Sequence, residues 1–287
     1  MCGYVNIFQY LEQAVHLAEE GCVQQLDECQ DAVAAWDNAV AFWAGSLEGS
    51  DGNNDGIPGS GGTYGRSFYA LADKRCDDFR TCSATGNTAN RGTPASANVK
   101  LLQLFAKGSR AIYSGDVEHA KATVKELENA SKVPLIQGTL RYAYRLNKGN
   151  SDKDKEAGEG AAFGGGALPH LWKCDTKAHK TAFQQIQVGK NSKVAQGKSK
   201  FKKLKLAFQC NYKCMGITCE EIGSLYDGIE FDQEGGEFPL PKPLSKQCSY
   251  KSDTCSEKVA KECKDYTKNP NKDFKSMAES DERSRTD

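Results

Sequence analysis

Two sets of oxygen-bearing side chains in this 287-residue chain have types and spacing suited to chemistry, and both point to cations. The run Asp51, Gly52, Asn53, Asn54, Asp55, Gly56 carries oxygen ligands at positions 1, 3 and 5 and glycine at position 6, the first half of a calcium-binding loop. Position 12 is Gly62 where a bidentate glutamate belongs, and Pro58 intrudes, so a solvated turn explains the same residues without calcium. The second set starts at Asp37, between Trp36 and Phe42 in the most apolar stretch of the chain. A carboxylate buried there needs a cation or hydrogen bonds. Lys74, Arg75, Arg141 and Arg145 are available as salt-bridge partners. The sharper reading joins Asp37 to Asp73, Asp77 and Asp78 as a hard-cation site, since an all-oxygen set suits Fe(III), Mn or Ca.

Other motifs carry less. Glu156-x-x-Glu159 and Glu234-x-x-Glu237 have helix-face spacing but fall in glycine-containing segments that read as loops with solvated charge. Gly197-Lys198-Ser199 imitates the end of a phosphate-binding loop, but Ser192 stands where its first glycine belongs. No G-x-S-x-G, H-E-x-x-H or G-x-G-x-x-G string occurs, and the chain reads as a non-enzyme. Residues 190–205 hold seven lysines and no acid, with Phe201 the lone aromatic, so base stacking has little support and no nucleic-acid partner is expected.

The elements that must position these residues read as helices. Apolar periodicity predicts helices over 5–20, 24–47, 66–79, 98–114 and 116–130, then one opened by Pro134 and running to Leu146. Residues 147–158 read as a loop, 160–173 and 176–188 as helices, and Thr218-x-x-Glu221 as a capping box opening a short one. Strand-like alternation is nearly missing, so the expected fold is all-α, a disulfide-stapled multi-helix bundle with long glycine-rich loops. The expected organisation is a helical domain over 1–228, a cysteine-containing irregular extension over 229–268 and a disordered tail over 269–287.

Charge and cysteine bound the setting. The formal net charge is zero, yet no Lys or Arg precedes Arg66, and the first 65 residues sum to −10 against +10 for the rest. Twelve cysteines contain no C-x-x-C pair and none lies at metal spacing from a histidine, which points to disulfides and an oxidising compartment. Cys76 and Cys82 flank a helix end and are placed to pair locally, while the six between 210 and 263 are expected to staple the C-terminal third. No apolar run reaches the roughly 18–20 residues of a membrane span. The N-terminus lacks the basic and apolar regions of a signal peptide, which reads equally as a cytosolic start or as a mature or truncated one.

Four strings then resemble a known family. Residues 35–49 (AWDNAVAFWAGSLEG), 69–76 (YALADKRC), 133–144 (VPLIQGTLRYAY) and 210–219 (CNYKCMGITC) are similar to segments of the algal low-iron-inducible, high-carbon-dioxide-inducible periplasmic proteins. The resemblance implies a helical, secreted or periplasmic protein linked to iron assimilation, and supplies no ligand set. The expected function is a non-enzymatic extracellular protein that binds iron, or an iron complex, at the cell surface. The expected metal ligands are Asp37, Asp73, Asp77 and Asp78 for iron, and Asp51, Asn53 and Asp55 for calcium. The alternative is a structural disulfide-rich helical module that assembles in a cell-surface or larger protein complex.

Overall fold

A computed structural model describes residues 2–21, 30–45, 67–82, 94–148, 153–189, 193–194 and 198–225. The Asp51, Asn53 and Asp55 set, Glu234 and Glu237, the 229–268 extension and the 269–287 tail lie outside the described residues. Among the described residues the fold is all-α, with nine helices. They are α1 (Cys2–Gly21), α2 (Gln30–Ala44), α3 (Phe68–Phe79), α4 (Ser96–Tyr113), α5 (Val117–Lys148), α6 (Lys153–Cys174), α7 (Thr176–Ile186), α8 (Phe201–Gln209) and α9 (Cys219–Ile222). None is long and apolar enough to cross a membrane.

The axis of the bundle is α5, 32 residues long and therefore about 48 Å from end to end at 1.5 Å per residue. Its first half contributes Ala120, Leu127 and Ala130 to one apolar core, shared with α1, α2 and α4. Its second half contributes Val133, Ile136, Leu140 and Ala143 to another, shared with α6, α7 and α8. Pro134 falls just after Val133, at the start of the second set, and does not start a new helix: the segments expected as 116–130 and 134–146 are one element. Proline lacks an N–H, so one helical hydrogen bond is lost there. Every residue from 131 to 140 is buried, and packing on all sides carries the helix through the gap.

The first core is organised by two fully buried tryptophans of α2. Trp36 donates its indole N–H to the Phe105 carbonyl at 3.0 Å, and its ring lies where a Cβ on Gly108 would stand. Only glycine permits that approach of α2 to α4. Trp43 donates to Asn98 Oδ1 at 3.1 Å. The Asn98 amide in turn donates to the Tyr69 carbonyl at 2.8 Å and to Asp73 Oδ1 at 2.7 Å, which fixes α3 against α4.

The expected loop over 147–158 is mostly helix, because α6 begins at Lys153. Its glycines look like loop composition but serve contact: Gly160 and Gly164 face Ile186 of α7, and Gly166 faces Leu135 of α5. The capping box is present as expected, with Thr218 Oγ1 accepting from the Glu221 N–H and Glu221 accepting from the Thr218 N–H at 2.8 Å. Two disulfides staple the bundle: Cys76–Cys82 at the end of α3, and Cys174–Cys214 from the end of α6 to the turns after α8. Cys210 and Cys219 are disulfide-bonded too. These bonds fit an oxidising compartment.

Candidate functional site

The short helix α3 positions most of the chemistry. Ser67 caps it, accepting from the Ala70 N–H at 3.1 Å, and Arg80 ends it in the left-handed conformation at φ 59°. Asp73 and Asp77 stand one turn apart, the spacing of neighbours on one helix face. Asp78, one residue on, turns toward α5.

Asp73 is part-buried and accepts two hydrogen bonds through Oδ1, from the Ala95 N–H at 2.7 Å and the Asn98 amide at 2.7 Å. Burial raises its pKa from 3.8 to about 6, the two hydrogen bonds oppose the rise, and the charge of Asp77 adds to it. The raised value has a consequence for stability. The contribution of Asp73 is fully present below pH 3.8 and is lost as pH rises through 6. Asparagine keeps the Oδ1 acceptor and never ionises. Asp73→Asn is therefore expected to match the parent at pH 4 and to exceed it by roughly 2–3 kcal/mol at pH 7.5. Urea unfolding of both proteins at the two pH values reads this difference, and an equal gap at both would refute the assignment.

Asp77 Oδ1 lies 3.2 Å from Cys82 Sγ, and single ligand atoms of Cys76, Asp77 and Cys82 fall within 4.8 Å of one another. That spacing suits a metal only after reduction. The two sulfurs are bonded to each other and carry no thiolate charge for a soft ion.

Behind this face lies a denser group. Arg75 is 1% exposed. Its Nη1 approaches Asp78 Oδ2 to 3.1 Å, and Arg141 Nε of α5 reaches the same oxygen at 2.9 Å. Both approaches lie off the hydrogen-bonding directions, so the contacts are ionic and leave Arg75 Nε, Arg75 Nη1 and Asp78 Oδ2 without a hydrogen-bond partner. Both guanidinium groups also sit over the Tyr142 ring, at 5.7 Å for Arg75 and 5.1 Å for Arg141. Tyr142 stacks on Phe163 of α6 at 5.4 Å, an approach that Gly138 allows because a Cβ there would collide with the Phe163 ring. Farther along α5, Arg145 Nε pairs with Glu156 Oε1 of α6 at 2.8 Å. Burial raises the Glu156 pKa, with Arg145 and Arg141 opposing.

A third group joins α1 to α5 and α6. The Tyr4 hydroxyl lies 3.1 Å from Ser131 Oγ and 3.3 Å from His170 Nε2. His170 Nδ1 stands 3.6 Å from Glu128 Oε1 and makes no hydrogen bond to it. His170 leads the groups that hold the Glu128 carboxyl well below the usual range, with Lys125 and Lys132 adding to it, while burial pushes the Tyr4 hydroxyl up.

The four expected iron ligands do not converge as a set. Asp37 is not buried: with Ala34, Asn38 and Ala41 it forms the exposed stripe of α2, and it lies on a different element from the other three. The arginines considered as its partners are engaged elsewhere, Arg75 and Arg141 on Asp78 and Arg145 on Glu156. Asp73 and Asp77 remain together, and Asp78 is neutralised by two cations. Glu156, expected as a solvated loop charge, is 5% exposed on α6. The signal that could have revealed it is the Gly160, Gly164 spacing of a close helix contact.

No protein-family model, curated protein or solved structure matches this chain.

Proposed function

We propose that this is a secreted, non-enzymatic binding protein that assists iron acquisition by taking up Fe(III) as a complex that brings ligands of its own. The observation that carries the reading is the Asp73–Asp77 pair one turn apart on α3, where burial, with the charge of Asp77 adding to it, holds Asp73 protonated to about pH 6. A hard cation relieves that repulsion and prefers oxygen donors. Two carboxylates fall well short of the six or so donors of an octahedral oxygen site, so the remaining donors must arrive with the metal. The four family-like strings and the disulfides support the same reading.

Titration of the full chain with ferric citrate tests it. The expected result is saturable binding tighter than about 1 mM, weakened at least tenfold in Asp73→Asn/Asp77→Asn. Binding no tighter than that, or binding untouched by the double substitution, would remove the reading.

A further inference from the structure

We propose that the buried charged cluster between α3, α5 and α6 is a binding site for a small multivalent oxyanion, with Arg75 as its inner anchor. The observation behind it is an incomplete pairing. Arginine offers five N–H donors in a fixed fork. Buried donors are nearly always hydrogen-bonded, because leaving one unmade carries the desolvation penalty of the group. Arg75 is 1% exposed, yet its Nε and Nη1 have no hydrogen-bond partner and its one carboxylate contact is off-axis.

The surrounding charge is out of balance in the same direction. Burial and then the charges of Arg75 and Arg141 lower the Lys74 pKa, burial and then Arg141 lower that of Arg75, and Arg145 and Lys155 act on Glu156 beside them. Against these five cations stand Asp78, Glu156 and Glu159. The excess of two positive charges matches a divalent anion. A planar guanidinium fork matches the paired oxygens of a carboxylate or phosphate better than a point charge does. The Tyr142 ring, stacked on Phe163 and facing both guanidinium groups, holds them in register. The outer cations of the cluster meet solvent: Lys74 is exposed and the Arg145 side chain is 37% exposed. This site uses neither Asp73 nor Asp77 and stands apart from the iron reading.

The test is thermal unfolding and calorimetric titration of the full, disulfide-intact chain with inorganic phosphate and with metal-free citrate, each against sodium chloride at equal ionic strength. The expected result is a rise in melting temperature beyond chloride and a dissociation constant below about 1 mM for at least one anion. Phosphate alone acting identifies a phosphoryl ligand, citrate alone a carboxylate ligand, and both the shared oxyanion chemistry. Arg75→Met is expected to weaken binding at least tenfold. Where that variant fails to fold, by loss of its far-UV helical signal, Arg141→Gln reads the same site from the other side of Asp78. Neither anion exceeding chloride, or binding unchanged in the folded arginine variants, overturns the proposal.

Discussion

Asp78→Ala is expected to destabilise the protein by about 3–5 kcal/mol, the range for removing one member of a buried ion pair. Asp78 Oδ2 lies within ionic reach of both Arg75 and Arg141. Without it Arg75 stays buried as a cation beside Arg141, and burial and then Arg141 already depress its basicity. The size follows from the charge left behind rather than from the worth of the pair. Replacing both partners with apolar groups of similar volume is commonly neutral or better. Arg75→Met/Asp78→Leu is therefore expected to regain most of what Asp78→Ala loses. Urea unfolding of the parent, the single and the double variant forms the comparison. A loss under about 1 kcal/mol for Asp78→Ala would mean that the pair behaves as an exposed one. Phosphate should return part of the loss, since an oxyanion beside Arg75 supplies the missing charge.

The same cluster marks the boundary of what was legible. Local signals came through: the Thr218–Glu221 capping box, the break between the helices expected over 98–114 and 116–130, the Cys76–Cys82 pairing and the all-α class each depend on a few neighbouring residues. The break at Pro134 did not occur, because burial from 131 to 140 outweighs the loss of one helical hydrogen bond. Asp37 looked buried from its apolar neighbours, but α2 is alanine-rich on its outer face too, and composition hid where the polar edge runs. A helix turns 100° per residue, so Asp37 points well away from Trp36. The partners of Arg75 and Glu156 were out of reach for a different reason. Several carboxylates were within sequence range of each arginine, and only the packing of α3 and α6 on α5 decides which pair forms. The iron set suffered most from this, since Asp78 chose arginines over its neighbouring aspartates.

Loss of the Cys174–Cys214 bond is expected to be the larger of two disulfide effects. Its partners are 40 residues apart against 6 for Cys76–Cys82. Chain-entropy scaling gives about 4 kcal/mol for the long loop and about 2 for the short one. The long loop also encloses all of α7 and α8, so opening it frees the C-terminal end of α6 and the segment carrying Tyr212, Met215 and Ile217, all core residues. Cys76–Cys82 only closes the last turn of α3, where the Ser96 N–H to Thr81 carbonyl bond at 2.9 Å holds the same junction independently. Cys174→Ala/Cys214→Ala should thus unfold at markedly lower urea than Cys76→Ala/Cys82→Ala, with reductant on the parent at least as damaging as the first. The opposite order would show that strain or residual structure in the unfolded chain, rather than loop closure, governs these bonds. A parent indifferent to reductant would remove the physical argument for an oxidising compartment, because the fold would then not depend on the bonds that such a compartment maintains.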